Sequence, residues 1–269
     1  MKLTLLCDNH TYIDRYYLGE PAFSVLIEDG KTTVLFDTGY SGVFIENARR
    51  MGIDLAKVTH IVLSHGHNDH TGGLAEYRKR FAQPVTLVAH PAVFARRRCD
   101  GLEVGSPIGP EELGENTRTV LRKEPIWLTE RICFLGEIPR GYPFECGRSV
   151  GERFADGAAV PDDLPDDTAL ALRTEEGLFL LTGCAHAGVA NTLRYALEVT
   201  GERRVAAVMG GMHLFETDDD FRSCMRELKR LGTERLIPCH CTSLAVKAAM
   251  TAEFDTAEAG VGMTLTLGR

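Results

Sequence analysis

The 269-residue chain has no apolar run long enough to span a bilayer, which excludes a transmembrane helix and gives no support to a membrane partner. It lacks a basic excess. The net charge of −8 and a pI near 5.6 argue against a nucleic-acid partner. It lacks any CxxC pair, so a zinc ribbon or a thioredoxin-type redox motif has no support. The eight cysteines are scattered and read as reduced thiols that pack as small hydrophobes. No secretory segment accompanies them. Residues 1–7 read as a short strand halted at Asp8-Asn9-His10, too short for a signal-peptide core and without a small-residue cleavage site, so the expected compartment is the cytoplasm. No internal repeat is visible. What remains is an ordinary soluble composition, 44% apolar and 25% charged, in a chain long enough to bury a substantial core.

The hydrophobic pattern alternates strands and helices. Residues 22–28 and 32–36 are β-rich runs joined at Asp29-Gly30, a hairpin signal. A helix is expected over 43–51 with Gly52 at its C-terminal end, a buried strand at 61–63, a helix over 74–81 and a strand at 85–88. From 96 to 165 the pattern weakens, with strand-like pieces only at 126–128 and 132–135. A stretch this long reads as a substrate-shaping insert or lid within a single domain of residues 1–269. The second half repeats the plan: a hairpin over 169–173 and 178–181, a helix at 189–199, a strand at 205–209, a helix at 219–231, a strand at 236–238, a helix at 244–254 and a last strand at 263–267. Two such halves imply two sheets packed face to face with helices outside.

One loop carries most of the chemistry. His65-Gly66-His67-Asn68-Asp69-His70 gathers three imidazoles and a carboxylate behind a buried strand. Packed without partners, these groups desolvate at high cost; around a cation, they are the ligands that zinc, iron and manganese accept. In an extended segment His65 and His67 point the same way, while Asp69 and His70 fall where the chain turns into a helix and suit a second ion beside the first. Further donors stand after two later strands, in Thr182-Gly183-Cys184-Ala185-His186-Ala187-Gly188 and in Pro238-Cys239-His240-Cys241-Thr242. Open α/β sheets place their sites at such strand ends.

The chain resembles the metallo-β-lactamase superfamily, whose HxHxDH signature is His65-Gly66-His67-Asn68-Asp69-His70. It is similar within it to the 7,8-dihydropterin-6-yl-methyl-4-(β-D-ribofuranosyl)aminobenzene 5′-phosphate synthase-like branch. That closer match is carried by Gly136-Glu137-Ile138-Pro139-Arg140, Asp166-Asp167-Thr168-Ala169-Leu170, residues 181–188, Gly210-Gly211-Met212-His213-Leu214 and residues 238–242. The resemblance implies an α/β (α+β) fold, a four-layer αββα sandwich. It implies two divalent metal ions, zinc before iron or manganese, one held by His65, His67 and His186 and the other by Asp69, His70 and His240, with Asp69 also serving catalysis. Cys184 stands where many members carry a bridging aspartate, as a bridging thiolate or a spectator. Asp37, in Phe36-Asp37-Thr38-Gly39, matches a strand-end aspartate that orients a ligand histidine; an Asx turn is the plainer alternative.

The remaining candidates divide evenly between chemistry and structure. His213 reads as a proton donor to a leaving group or as a loop histidine, and Arg140 as a phosphate anchor through its guanidinium fork. Arg96-Arg97-Arg98 reads as a solvated face, and His10 and His90 as structural. A structural zinc site of Cys184, Cys239, His240 and Cys241 is disfavoured, because alternation turns Cys239 and Cys241 away from His240 and into packing. The expected function is a metal-dependent hydrolase of a small, anionic ester or phosphoester. The alternative is a dihydropterin-type transferase that forms a C–N bond and releases diphosphate, and a non-catalytic metal-binding protein ranks behind both. The expected partner is a small molecule; self-association is left open.

Overall fold

The first and last strands of the chain lie side by side, and the sheet they open sets the position of the histidine loop. In the computed structural model, which describes residues 1–146, 149–155 and 157–268, the chain forms two units. The first comprises Met1–Lys123, Ser149–Asp162 and Gly260–Leu267; the second comprises Asp163–Ala259 with the stretch that starts at Glu124.

The first unit holds a seven-stranded sheet in the order Thr264–Thr266, Lys2–Cys7, Ser24–Asp29, Thr32–Phe36, His60–Val62, Val85–Ala89 and Thr117–Leu121. The first three pairings are antiparallel and the last three parallel. The hairpin forms as expected, with Asp29 opposite Thr32 and Gly30 at φ +63° in its turn. Parallel strands need crossovers, and the helices Val43–Arg50 and Leu74–Arg80 supply two of them. Phe44, Ile45 and Ala48 from one helix, and Leu74 and Tyr77 from the other, pack with Leu26, Leu35, Ile61, Leu63 and Leu87 of the sheet. The parallel strands end at Phe36, Val62 and Ala89, so the chain leaves the sheet there as Asp37, His65 and His90.

A separate four-stranded antiparallel sheet joins Ala158–Pro161, Glu152–Ala155, Arg97–Cys99 and Leu102–Glu103. The weak pattern of 96–165 therefore covers regular structure. Its strands are short, partly exposed and charged, so period-two alternation is lost in the sequence. Positions 147, 148 and 156 of that stretch lie outside the described residues.

The expected solvated face at Arg96-Arg97-Arg98 is corrected in its middle residue. Arg96 and Arg98 are exposed and pair with Glu103, but Arg97 is fully buried, its Nε 2.7 Å from Asp162 Oδ2. An arginine on a strand alternates inward, and an aspartate 65 residues away, invisible to local pattern, makes that burial tolerable.

The second unit has its own seven-stranded sheet, in the order Asp255–Thr256, Arg235–Pro238, Val205–Gly210, Gly177–Thr182, Ala169–Thr174, Ile132–Phe134 and Ile126–Trp127. Its first four strands are parallel. The helices Val189–Thr200 and Asp219–Arg230 cover it with Leu193, Ala196, Phe221, Met225 and Leu228, packed with Ala171, Leu180, Val208 and Leu236. Asp218 Oδ1 accepts the Phe221 amide at 2.8 Å and starts the second of these helices; Gly201, at φ +71°, ends the first. The expected helix over 244–254 stops at Thr251. The amides of Glu253 and Phe254 both turn back to the Met250 carbonyl, and Asp255 donates to Glu234 and joins the sheet. No described helix is long and apolar enough to cross a membrane.

Candidate metal centre

In the first unit the donor groups are built around one buried carboxylate. Asp37 follows the Thr32–Phe36 strand at φ +58°, a conformation an aspartate tolerates better than most side chains. Its Oδ1 accepts the Ser64 amide at 2.7 Å, and its Oδ2 accepts the Ser64 hydroxyl at 2.7 Å. The same Oδ2 lies 2.7 Å from His70 Nδ1. Ser64 Oγ, in turn, is 3.0 Å from His65 Nδ1. With the hydroxyl proton given to Asp37, Ser64 accepts from His65. Both histidines are thereby held by Nδ1, which leaves Nε2 on each for a cation.

The other donors come from the loop itself. His65 Nε2 and His67 Nδ1 stand 3.1 Å apart, and the His65 ring centroid lies 4.7 Å from His67 and 4.2 Å from His70. Asp69 Oδ2 is 3.5 Å from His70 Nε2. The one-turn helix Asn68–Thr71 sets this spacing, with the His67 carbonyl taking the amides of His70 and Thr71. His65 and His70 are fully buried and His67 nearly so. Burial pushes the His70 imidazole down, but the Asp69 and Asp37 carboxylates beside it win and hold it well above the ordinary imidazole value. This buried imidazole and carboxylate set, short of positive charge, has the donor chemistry that fits a divalent ion.

Gly66 is the silent member of the loop. A Cβ there would stand 1.9 Å from the Val93 carbonyl oxygen and 2.1 Å from Arg97 Nη1, so only glycine lets the loop lie on the buried arginine. The loop is also tied to the neighbouring hairpin, through the Asn68 amide on the Val104 carbonyl at 2.9 Å and a bridge from His67 to Gly105.

In the second unit the candidate residues emerge from one edge of the sheet. Thr182, Gly210 and Pro238 are in register across three parallel strands, so the segments bearing Cys184 and His186, His213, and Cys239 to Cys241 leave at one level. Each segment turns through a left-handed non-glycine residue: Ala185 at φ +55°, His213 at +47° and His240 at +43°. Backbone strain of this kind clusters at functional sites. The rings of His186 and His213 lie 4.2 Å apart, and His213 Nδ1 is buried without a hydrogen-bond partner.

Here alternation fails as a guide. The strand ends at Pro238, and the left-handed turn at His240 resets the side-chain directions. Cys239 does face packing, fully buried with its thiol on the Ile237 carbonyl. Cys241 does not: donor atoms of Cys184, His240 and Cys241 all lie within 4.8 Å of one another. Burial would raise the Cys241 thiol, but the hydrogen bond with Cys184, together with His213 and His240 beside it, brings it well below the ordinary thiol value. None of the eight cysteines is in a disulfide.

Arg140 stands apart from these donors. It lines a pocket of about 490 Å³ with Glu137, Asp163, Leu164 and Asp167, and its Nη2 donates to the carbonyls of Asp163 and Leu164. In the sequence Asp167 stands only as part of Asp166-Asp167-Thr168-Ala169-Leu170. In the structure its Oδ2 accepts the Ala187 amide at 2.8 Å, while its buried Oδ1 has no hydrogen-bond partner. Burial pushes this carboxyl up to about 7, against the backbone hydrogen bonds from Ala187 and His186. The native carboxyl then keeps its proton to about pH 7, whereas the unfolded chain releases it near 3.8. Between these values the native state binds more protons, so stability falls as the pH rises through that window. Asp167→Asn, which cannot ionise, is therefore expected to gain stability over the parent at pH 8 that it lacks at pH 4. Thermal unfolding of the metal-free proteins at both values measures this; an equal difference at the two pH values would contradict it.

Comparison with known proteins gives a consistent picture. A sequence model described as Metallo-beta-lactamase superfamily matches residues 18–240. The 7,8-dihydropterin-6-methyl-4-(beta-D-ribofuranosyl)-aminobenzene-5′-phosphate synthase of Methanocaldococcus jannaschii is 30% identical over 277 aligned positions, covering 94% of this chain and 92% of that protein. A solved structure described as a metal-dependent hydrolase of the beta-lactamase superfamily superposes with a TM-score of 0.87 at 28% identity, over 100% of both chains. The metallo-beta-lactamase fold protein YhfI of Bacillus subtilis shares the fold at a TM-score of 0.62 and 13% identity, over 98% of both chains.

Proposed function

The chain belongs to the metallo-beta-lactamase superfamily and has its α/β fold, and from that premise we propose a metal-dependent enzyme acting on a small, anionic, phosphorylated substrate. The observation that carries this reading is the buried Asp37–Ser64 support, which fixes His65 and His70 by Nδ1 and leaves their Nε2 atoms as donors. As candidate metal ligands the first unit offers His65, His67, Asp69 and His70, and the second offers His186 and His240. When bound, divalent ions supply charge stabilisation to phosphoryl oxygens and lower the pKa of water. The chain's own residues do the rest. Asp37 sets the tautomer of His70. His213, with its unpartnered Nδ1, gives or takes a proton. Arg140 supplies a fixed positive charge beside the Asp167 pocket.

For the reaction, the transferase reading takes precedence. A full-length relative at 30% identity is named as a synthase whose product joins a dihydropterin methyl to a ribofuranosylaminobenzene phosphate. In such a step the aryl amine forms a C–N bond to the pterin methyl carbon, the C–O bond to diphosphate breaks, and the amine proton passes to a base. The hydrolase reading is kept because the 28% identical solved structure is described as a metal-dependent hydrolase. One experiment separates them. Metal-loaded protein is given the pterin methyl diphosphate with and without the amine, beside a panel of phosphodiesters, phosphomonoesters and lactones. A coupled product that appears only with both substrates supports the transferase. Hydrolysis of a single panel member, with no coupled product, supports the hydrolase and overturns the transferase.

A further inference from the structure

The donors at the end of the Arg235–Pro238 strand are richer in sulfur than the imidazole and carboxylate set of the histidine loop. Cys184, His240 and Cys241 bring two thiols and an imidazole to within 4.8 Å of one another. A tetrahedral zinc ion with Zn–S bonds of about 2.3 Å holds its thiolates about 3.8 Å apart, so these side chains need only small shifts to close on one ion. Three features point to a built site. Cys241 reaches the cluster only because His240 adopts a left-handed conformation, at φ +43°. Gly211 leaves the space for its sulfur: a Cβ at Gly211 would stand 2.6 Å from Cys241 Sγ. The neighbouring thiol, Cys239, is excluded, held in packing on the Ile237 carbonyl.

We propose that Cys184, Cys241 and His240 form a thiolate-bearing half-site that takes a soft or borderline divalent cation such as zinc, with both sulfurs as direct ligands. The inference rests on the metal-dependent reading above and adds to it the chemical character of the ion. Thiolates select zinc, cadmium and cobalt over magnesium and manganese, for which oxygen donors are preferred. They also donate charge, so the bound ion is a milder Lewis acid than one held by carboxylate and imidazole alone.

The test uses the full-length protein, stripped of metal under reducing conditions and reloaded with cobalt(II). Thiolate ligation gives an intense sulfur-to-cobalt charge-transfer band in the near ultraviolet, which nitrogen and oxygen ligands do not. The parent is expected to show it, Cys241→Ser and Cys184→Ser to lose about half of its intensity each, and the double variant to lose it while still binding cobalt. X-ray absorption of the zinc-loaded parent is expected to show sulfur at about 2.3 Å, a readout that needs no variant to fold. Cobalt bound with no such band, or a band that survives the double substitution, would overturn the thiolate site and leave the metal-dependent reading standing. Failure to bind cobalt or zinc at all would overturn both.

Discussion

Asp162→Ala is expected to lower the stability of the protein by about 3–5 kcal/mol, a large fraction of what a domain of this size has to lose. Arg97 and Asp162 are both fully buried, with Nε 2.7 Å from Oδ2, and Arg153 stands 3.8 Å from the other carboxylate oxygen. Removing the carboxylate takes the counter-charge from a guanidinium that otherwise donates to backbone carbonyls, those of Ala92, Val93 and Ala95 among them. The loss extends to the histidine loop, because Arg97 Nη1 fills the space against Gly66. Replacing both partners by apolar residues, Arg97→Met with Asp162→Leu, is expected to recover much of the stability, since neither of the two fully buried charges is then left without the other. Urea unfolding of the three proteins measures this. A change below about 0.5 kcal/mol for Asp162→Ala, the range of ordinary surface substitutions, would show that the pair contributes little.

His67→Ala is expected to abolish metal-dependent turnover, by on the order of a thousandfold or more. Metal assistance supplies several kcal/mol of transition-state stabilisation, and each 1.36 kcal/mol is a factor of ten. His67 is nearly buried, its Nδ1 3.1 Å from His65 Nε2, so water restores neither the charge nor the geometry of the missing ring. Metal content and initial rates, measured on the same preparations, check it. A variant that keeps full turnover would mean that His67 is no part of the chemistry. Unchanged turnover with lowered metal content would mean that the missing ion is not the one used.

Much of this was legible in the sequence. The hairpin at Asp29-Gly30, the strand and helix alternation and the histidine loop follow from periodicity and turn chemistry, which act over a few residues. What stayed hidden depends on distant partners or on single dihedral angles. Arg97 reads as solvated until Asp162, 65 residues on, is brought beside it. Cys241 reads as packing until the left-handed turn at His240 resets the direction of its side chain. Ser64 carries no motif at all, yet it bridges Asp37 to His65. The short, charged strands near Arg97 and Glu152 bury too little on one face to leave an alternating pattern.

The pairing of Thr264–Thr266 with Lys2–Cys7 has a consequence for how the protein is made. On the ribosome, Lys2–Cys7 is made about 260 residues before Thr264–Thr266, the strand that covers its outer side. Until then it offers an open hydrogen-bonding edge, a template for pairing with a foreign strand. Over that interval the nascent chain carries a six-residue open edge, and pairing replaces it with one of three residues, too short to template much.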